Sequence, residues 1–166
     1  MKALLIGAIA LITLNLNAQE MKDPQHTVTG LFIATDQQDW DQVSSSFHAQ
    51  VRLDYSSMNG NPAATLTPEE IITAWKGILP GFEHTHHQLG NMTSHVKGDS
   101  ATVFCYGTAS HYLGHEAGNL WIVVGTYDFQ LVRIDDGNWK IASMTFDFKY
   151  QDGNTSLPEK AIGNIK

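Results

Sequence analysis

From about residue 83 to 150, apolar and polar positions alternate with period two through four segments, near 83–96, 100–113, 119–133 and 138–150. Turn chemistry separates them: Lys97-Gly98-Asp99, the stretch from Gly114 to Gly118, and Asp135-Asp136-Gly137. Long neighbouring strands joined by short turns predict an antiparallel meander. Before residue 82 the period is different. Val28, Leu31, Phe32 and then Thr35 or Asp36 recur at helical spacing between Pro24 and Gln38. Asp39 is a suitable N-cap for a second short helix with Trp40, Val43 and Phe47 on one face. "VRLDY" alternates Val51, Leu53 and Tyr55 against Arg52 and Asp54 and reads as a half-buried strand, whereas "NGNPAA" at 59–64 reads as a loop.

The clearest helix is "LTPEEIITAWKGILPG". Thr67 caps it, Pro68 takes the first helical position and Glu70 completes a T-x-x-E capping box. Ile71, Ile72, Trp75, Ile78 and Leu79 form its apolar stripe, and Pro80-Gly81 stop it. Helices first and strands afterwards predict an α+β domain with the helices packed on one face of a curved sheet. From Gln151 onward the chain is polar with Gly and Pro, so 151–166 is expected to be a loose tail.

The first residues, MKALLIGAIALITLNLNAQ, change the picture at one end. Lys2 followed by an apolar run and then Leu16-Asn17-Ala18 reads as a signal peptide over 1–18, cleaved after Ala18. The run is short for a bilayer span, so a periplasmic or secreted location is expected, with no membrane attachment after cleavage. The remaining 148 residues suffice for one domain with a core, assigned to 19–150. Removing Lys2 leaves 9 basic against 17 acidic residues, a formal charge of −8, which argues against nucleic acid and anionic membrane surfaces as partners. Cys105 is alone, so no internal disulfide forms, and stability must come from burial of residues such as the four Trp and seven Phe.

"HTHHQLGN" at 84–91 is the densest candidate chemistry. Strand alternation puts His84, His86 and Gln88 on one face and Thr85, His87 and Leu89 on the other, and Leu89 marks the second as interior. On the next strand Val103, Cys105, Ala109 and His111 share a face, while Phe104, Tyr106 and Tyr112 on the opposite face predict a surface covered by a partner subunit. Asp36 lies four residues after Phe32 on the first helix's stripe. By spacing alone it is either buried and paired or solvated on a frayed helix end.

"TDQQDWDQV", "VRLDY", "HTHHQLGN" and "GTYDFQLVRIDDGNWKI", in that order and spacing, resemble the SnoaL-like branch of the nuclear-transport-factor-2-like superfamily, over about His26 to Tyr150. Within it the likeness is to the scytalone dehydratase and hexachlorocyclohexane dehydrochlorinase families. The resemblance implies a cone-shaped fold, a strongly bent sheet around a pocket closed by N-terminal helices. It also implies eliminations driven by a His base assisted by a buried Asp. Asp36 matches that Asp, His87 the base, Tyr55 a pocket Tyr and His111 a second pocket His. Relatives are often trimers or dimers, which implies a homotrimer or homodimer. The chain departs from the family in having Thr35 where the dehydratases have Tyr, and Thr126 and Tyr127 where they carry hydroxyl and amide groups; the dehydrochlorinases' pocket Lys has no clear equivalent. A different substrate is expected.

A His–Asp pair without a nucleophile suits proton abstraction from carbon, ending in loss of water or halide or in double-bond migration. Tyr55, Tyr127 or His111 is available to polarise a carbonyl of a small hydrophobic substrate, and such a site needs no cofactor. Cys105, mid-strand among small apolar residues, reads as core, and the four Trp as core or pocket wall. Two other classes remain: a non-catalytic cone that sequesters a small hydrophobic ligand, and a metal site using His84 and His86. The second lacks a spaced third ligand, and the simpler reading of those two residues is polar side chains at the surface or an interface.

Overall fold

A computed structural model describes residues 23–134 and 137–165. The expected signal peptide and two residues of the Asp135-Asp136-Gly137 turn lie outside these. Helix α1 spans Pro24–Asp36, with the Asp23 side chain accepting from the Gln25 amide and Pro24 at the start. Its buried stripe of Val28, Leu31, Phe32 and Thr35 follows the predicted period. Helix α2 spans Trp40–Ser46, capped by Asp39 as expected, but ends before Phe47. Phe47 instead opens strand β1, Phe47–Asp54, because its β-region backbone and buried ring suit the sheet rather than another helical turn.

Tyr55 follows β1 and begins the single helical turn α3, Ser56–Asn59. Part of the expected loop pairs with β1: strand β2, Ala64–Leu66, runs antiparallel to it. Helix α4, Pro68–Lys76, has the predicted capping box, with the Thr67 amide donating to Glu70 Oε2 at 2.8 Å and the Glu70 amide to Thr67 Oγ1 at 3.3 Å. A 3₁₀ turn at Leu79–Gly81 follows.

The four long strands are β3, His84–Lys97; β4, Ser100–Tyr112; β5, Leu120–Arg133; and β6, Trp139–Gly153. They pair antiparallel in sequence order, and β1 joins β6 in parallel, giving a mixed six-stranded sheet ordered β2-β1-β6-β5-β4-β3. A strand paired in parallel needs a crossover, and between β1 and β6 the chain passes through α4 and the strands β3 to β5. Register shifts between Gly90 and Thr93, and between Val124 and Gly125, interrupt the ladders and help the sheet curl.

Two glycines on the inner face make room for the curl. A Cβ on Gly107 would sit 2.3 Å from the Tyr127 ring, and one on Gly125 2.4 Å from Phe146. Each absent side chain lets a ring lie flat across the neighbouring strand, so the concave surface is lined by aromatics rather than filled. The core between this surface and α1 includes Val28, Leu31, Phe32, Val103, Cys105, Phe129, Ile141 and Met144.

The expected loose tail is not loose. β6 continues to Gly153, and helix α5, Leu157–Asn164, buries Leu157 and Ala161 completely. It packs on the 3₁₀ turn: Asn164 Nδ2 donates to the Gly81 carbonyl at 3.2 Å, and a Cβ at Gly81 would collide with the Ala161 carbonyl. Two buried apolar residues at i and i+4 are enough to dock this helix, although its Ile162 stays exposed.

Candidate active site

A cavity of about 170 Å³ opens between the concave sheet and the helices. Phe32 and Thr35 of α1, Trp75 and the residues just after α4, and the inner faces of β3 to β6 form its walls. Met58 of α3, itself partly exposed, belongs to the lining as well. Four of the five residues singled out from the sequence line it directly: Tyr55, His87, His111 and Tyr127. The fifth, Asp36, reaches it through His87.

Asp36 is the last residue of α1, and its side chain is 18% exposed against 11% for His87. A carboxylate there sits at the negative end of the helix dipole and half out of water, both unfavourable. β3 supplies the compensation. His87 Nδ1 lies 2.6 Å from Asp36 Oδ1, the His87 amide donates to Oδ2 at 2.7 Å, and the Thr85 hydroxyl donates to Oδ1 at 3.0 Å. Burial pushes the Asp36 carboxyl up, but the bond and charge of His87, its amide and Thr85 together outweigh this and hold it below the ordinary carboxylate range. An ionised carboxylate can only accept, so Nδ1 carries the ring proton and Nε2 keeps its lone pair.

The His87 ring is held in place by its neighbours. Phe32 stacks on it with centroids 5.1 Å apart and planes at 28°, and His111 meets it edge-on at 5.9 Å. His111 is 5% exposed, packed between Phe82 at 4.9 Å and Trp121 at 4.5 Å. Burial, and then the nearby His87, push its pKa down to about 4, so its ring is neutral at physiological pH. Its Nδ1 faces the Trp121 carbonyl at 3.4 Å, which places the proton on Nδ1 and leaves Nε2 as an acceptor. Trp121 is anchored in turn by its indole N–H on Gln151 at 2.9 Å.

Tyr127 and Tyr55 flank Phe146, with centroids 4.8 Å and 5.7 Å from it. Burial raises the pKa of both phenols above the ordinary value, so both hydroxyls remain protonated donors. Tyr55 is positioned by what surrounds it. Asp54 accepts from the Ser56 amide and hydroxyl, and Ser57 bridges α3 to β6, donating to the Phe146 carbonyl at 2.7 Å and accepting from the Phe148 amide at 2.9 Å.

The other candidates separate from this group. His84 and His86 are exposed on the outer face. Cys105 is fully buried, and its thiol is pushed up to about 12 by burial and by Asp128, so it is no nucleophile at physiological pH. Trp121 and Trp75 line the cavity and Trp139 is core, with the Arg133 guanidinium 4.6 Å above its ring. Among the described residues no three His, Cys, Asp or Glu side chains converge as metal ligands would. Thr85 escaped sequence reading as a site residue, although its parity with His87 signalled the shared face.

Helices packed on a curled, mixed sheet around an apolar pocket define the cone-shaped class of α+β domains, the nuclear-transport-factor-2-like architecture. The SnoaL-like domain family matches residues 20–145, and the chain belongs to it. Kfla4162 from Kribbella flavida is similar at 23% identity with a TM-score of 0.75, over 82% of this chain and 94% of that one. A scytalone dehydratase-like protein from Novosphingobium aromaticivorans matches at 21% and 0.70, over 83% and 89%. A type 2 hexachlorocyclohexane dehydrochlorinase matches at 16% and 0.65, over 79% and 86%. At these identities the likeness is one of fold. No curated protein matches the sequence.

Proposed function

We propose that the protein is a cofactor-independent lyase or isomerase in which His87 removes a proton from a substrate carbon and Asp36 fixes and charge-balances its ring. The observation that carries this reading is the 2.6 Å contact between His87 Nδ1 and Asp36 Oδ1 at the wall of an apolar cavity. Nδ1–H is committed to the carboxylate, so Nε2 takes the carbon-bound proton. The electron pair left behind forms a double bond and expels a leaving group from the neighbouring carbon. In a dehydration, the protonated ring returns its proton to the departing oxygen; in an isomerisation, to another carbon. Asp36 stabilises the imidazolium in between, and its low basicity keeps the proton on nitrogen. The names of two structural neighbours, a scytalone dehydratase-like protein and a dehydrochlorinase, are those of elimination enzymes and support the class.

The phenols of Tyr55 and Tyr127 are the donors suited to a substrate carbonyl whose oxygen gains charge as the proton leaves. His111 is suited to the opposite task, accepting from a substrate hydroxyl, since its own proton faces Trp121. A cavity of about 170 Å³ has the capacity of one substituted ring, by comparison with the cavities of roughly 150 Å³ that hold benzene. Phe32, Trp75, Val123 and Phe146 in its walls favour a small hydrophobic molecule, and the two phenols favour one that carries a carbonyl.

Two further features belong to the same reading. The leader points to a periplasmic or secreted enzyme. The outer sheet face leaves Tyr106 and Tyr150 51% and 57% exposed, which suits a homodimer or homotrimer built across it; light scattering that shows only monomer refutes this. The catalytic proposal is tested by screening purified protein against small cyclic ketones and hydroxy-ketones, then substituting the dyad. H87Q and D36N are expected to lower kcat by about a thousandfold, within the usual contribution of a general base. Turnover that survives in both variants overturns the proposal.

A further inference from the structure

Asp36 is held by three donors, and they are unequal in kind. The Nδ1–H of His87 belongs to a ring that must gain and lose a proton. The other two, the His87 amide on Oδ2 and the Thr85 hydroxyl on Oδ1, do not change during a turnover. They engage different oxygens, so together they fix both the position of the carboxylate and the plane in which it lies. Either one alone leaves it free to rotate about the bond to the carboxyl carbon. Thr85 and His87 can reach one carboxylate because they are two apart on β3 and therefore share its inner face.

Oδ1 also takes two donors, Thr85 at 3.0 Å and His87 Nδ1 at 2.6 Å. The hydroxyl shares the negative charge on the oxygen that faces the imidazole. With that charge shared, the carboxylate competes less for the Nδ1 proton. The need is acute because Asp36 ends α1 and so faces the unfavourable pole of the helix, in a half-buried place where the carboxylate would otherwise take up a proton.

Resting on the dyad reading above, we propose that Thr85 is a positioning residue of the active site. Its hydroxyl locks the Asp36 carboxylate in the plane of the His87 ring and keeps it ionised while His87 carries the substrate's proton. Thr85 touches no substrate; it acts through Asp36. This makes the functional unit T-x-H on the strand plus the helix-terminal Asp, rather than an isolated pair.

The experiment compares wild type with T85V, which keeps the shape and removes the hydroxyl, and with T85S, which restores it. In ligand-free protein, the Asp36 carboxyl carbon resonance is followed against pH, together with the downfield proton of His87 Nδ1–H. In T85V the carboxyl titration is expected to move to higher pH and the downfield proton to be lost at a correspondingly higher pH, with T85S returning both to wild type. On a substrate found by the screen, kcat should fall about tenfold in T85V with KM little changed, the scale of one hydrogen bond to a charged group. An Asp36 titration that is the same in T85V and wild type overturns the proposal, as does a T85S protein that behaves like T85V. Should T85V fail to fold, T85A and T85S carry the same comparison, and the titration must follow the hydroxyl. The resonances need no substrate, so this result is separate from the catalytic reading. Shifted titrations in a protein without turnover leave Thr85's role and remove the reaction; unshifted ones beside a functioning dyad remove Thr85 alone.

Discussion

The hairpin of β3 and β4 puts histidines in two environments a few ångströms apart. On its outer face His84 and His86 are exposed, and the His84 ring lies beside Tyr112, at 6.1 Å between ring centroids. On its inner face His87 and His111 are enclosed by Phe32, Phe82 and Trp121 and committed at Nδ1 to a carboxylate and a carbonyl. The residue type is the same on both sides. What differs is a single residue of strand parity, and with it water, neighbours and tautomer. A histidine becomes a poised base when one nitrogen is assigned a partner and the other is left facing a dry space.

If enclosure is what separates the two faces, removing it should cost most. Phe32 is 3% exposed and touches His87, Tyr127 and Phe129, so F32A is expected to lose about 3–5 kcal/mol in urea unfolding and to release the His87 ring from its stacked position. A loss under about 1 kcal/mol would mean that the aromatic enclosure is not what holds the inner face together.

A smaller effect depends on pH. The folded state holds His111 at about 4, below the 6.5 of an ordinary histidine, so between those values the unfolded chain binds more protons. Stability from this group is therefore complete above pH 6.5 and falls as pH drops toward 4. Between pH 7 and pH 5 the loss is on the order of 2 kcal/mol. Denaturant titrations at both pH values should show that loss shrinking by about this amount in H111Q. An equal loss in H111Q and wild type would contradict the buried, neutral assignment.

The smallest effect belongs to the outer face. H84A and H86A should change stability by no more than about 0.5 kcal/mol and leave kcat as it was. A large loss of activity from either would place chemistry on the wrong side of the sheet.

Much of this contrast is legible in the chain. Alternation defines the four strands to within a few residues, and the parity of Leu89 assigns His87 inward. The T-x-x-E signal at Thr67 and Glu70 forms as read. These are local patterns, fixed by backbone periodicity. What escaped is long-range or sparse. The three-residue β2 and the parallel pairing of β1 with β6 depend on partners far along the chain. Helix α5 is anchored by Leu157 and Ala161, too few to make a period visible in a segment that also holds Pro158, Gly163 and the exposed Ile162. Thr85 shares a face with His87, yet no local pattern tells that its hydroxyl meets a carboxylate 49 residues earlier. The spaces left by Gly107 and Gly125 are likewise defined only by Tyr127 and Phe146 on neighbouring strands.

The central claim is that His87, held by Asp36, removes protons from carbon inside the cavity. It is tested most directly by incubating the protein with small cyclic ketones in deuterium oxide and following the loss of α-protons by NMR. This reads proton abstraction even when no leaving group departs. Wild-type protein is expected to accelerate exchange for ketones that fit the cavity, with H87Q and D36N reduced to the buffer rate. Ketones that bind tightly yet exchange no faster with wild type than with H87Q would contradict the account and leave a binding protein in its place.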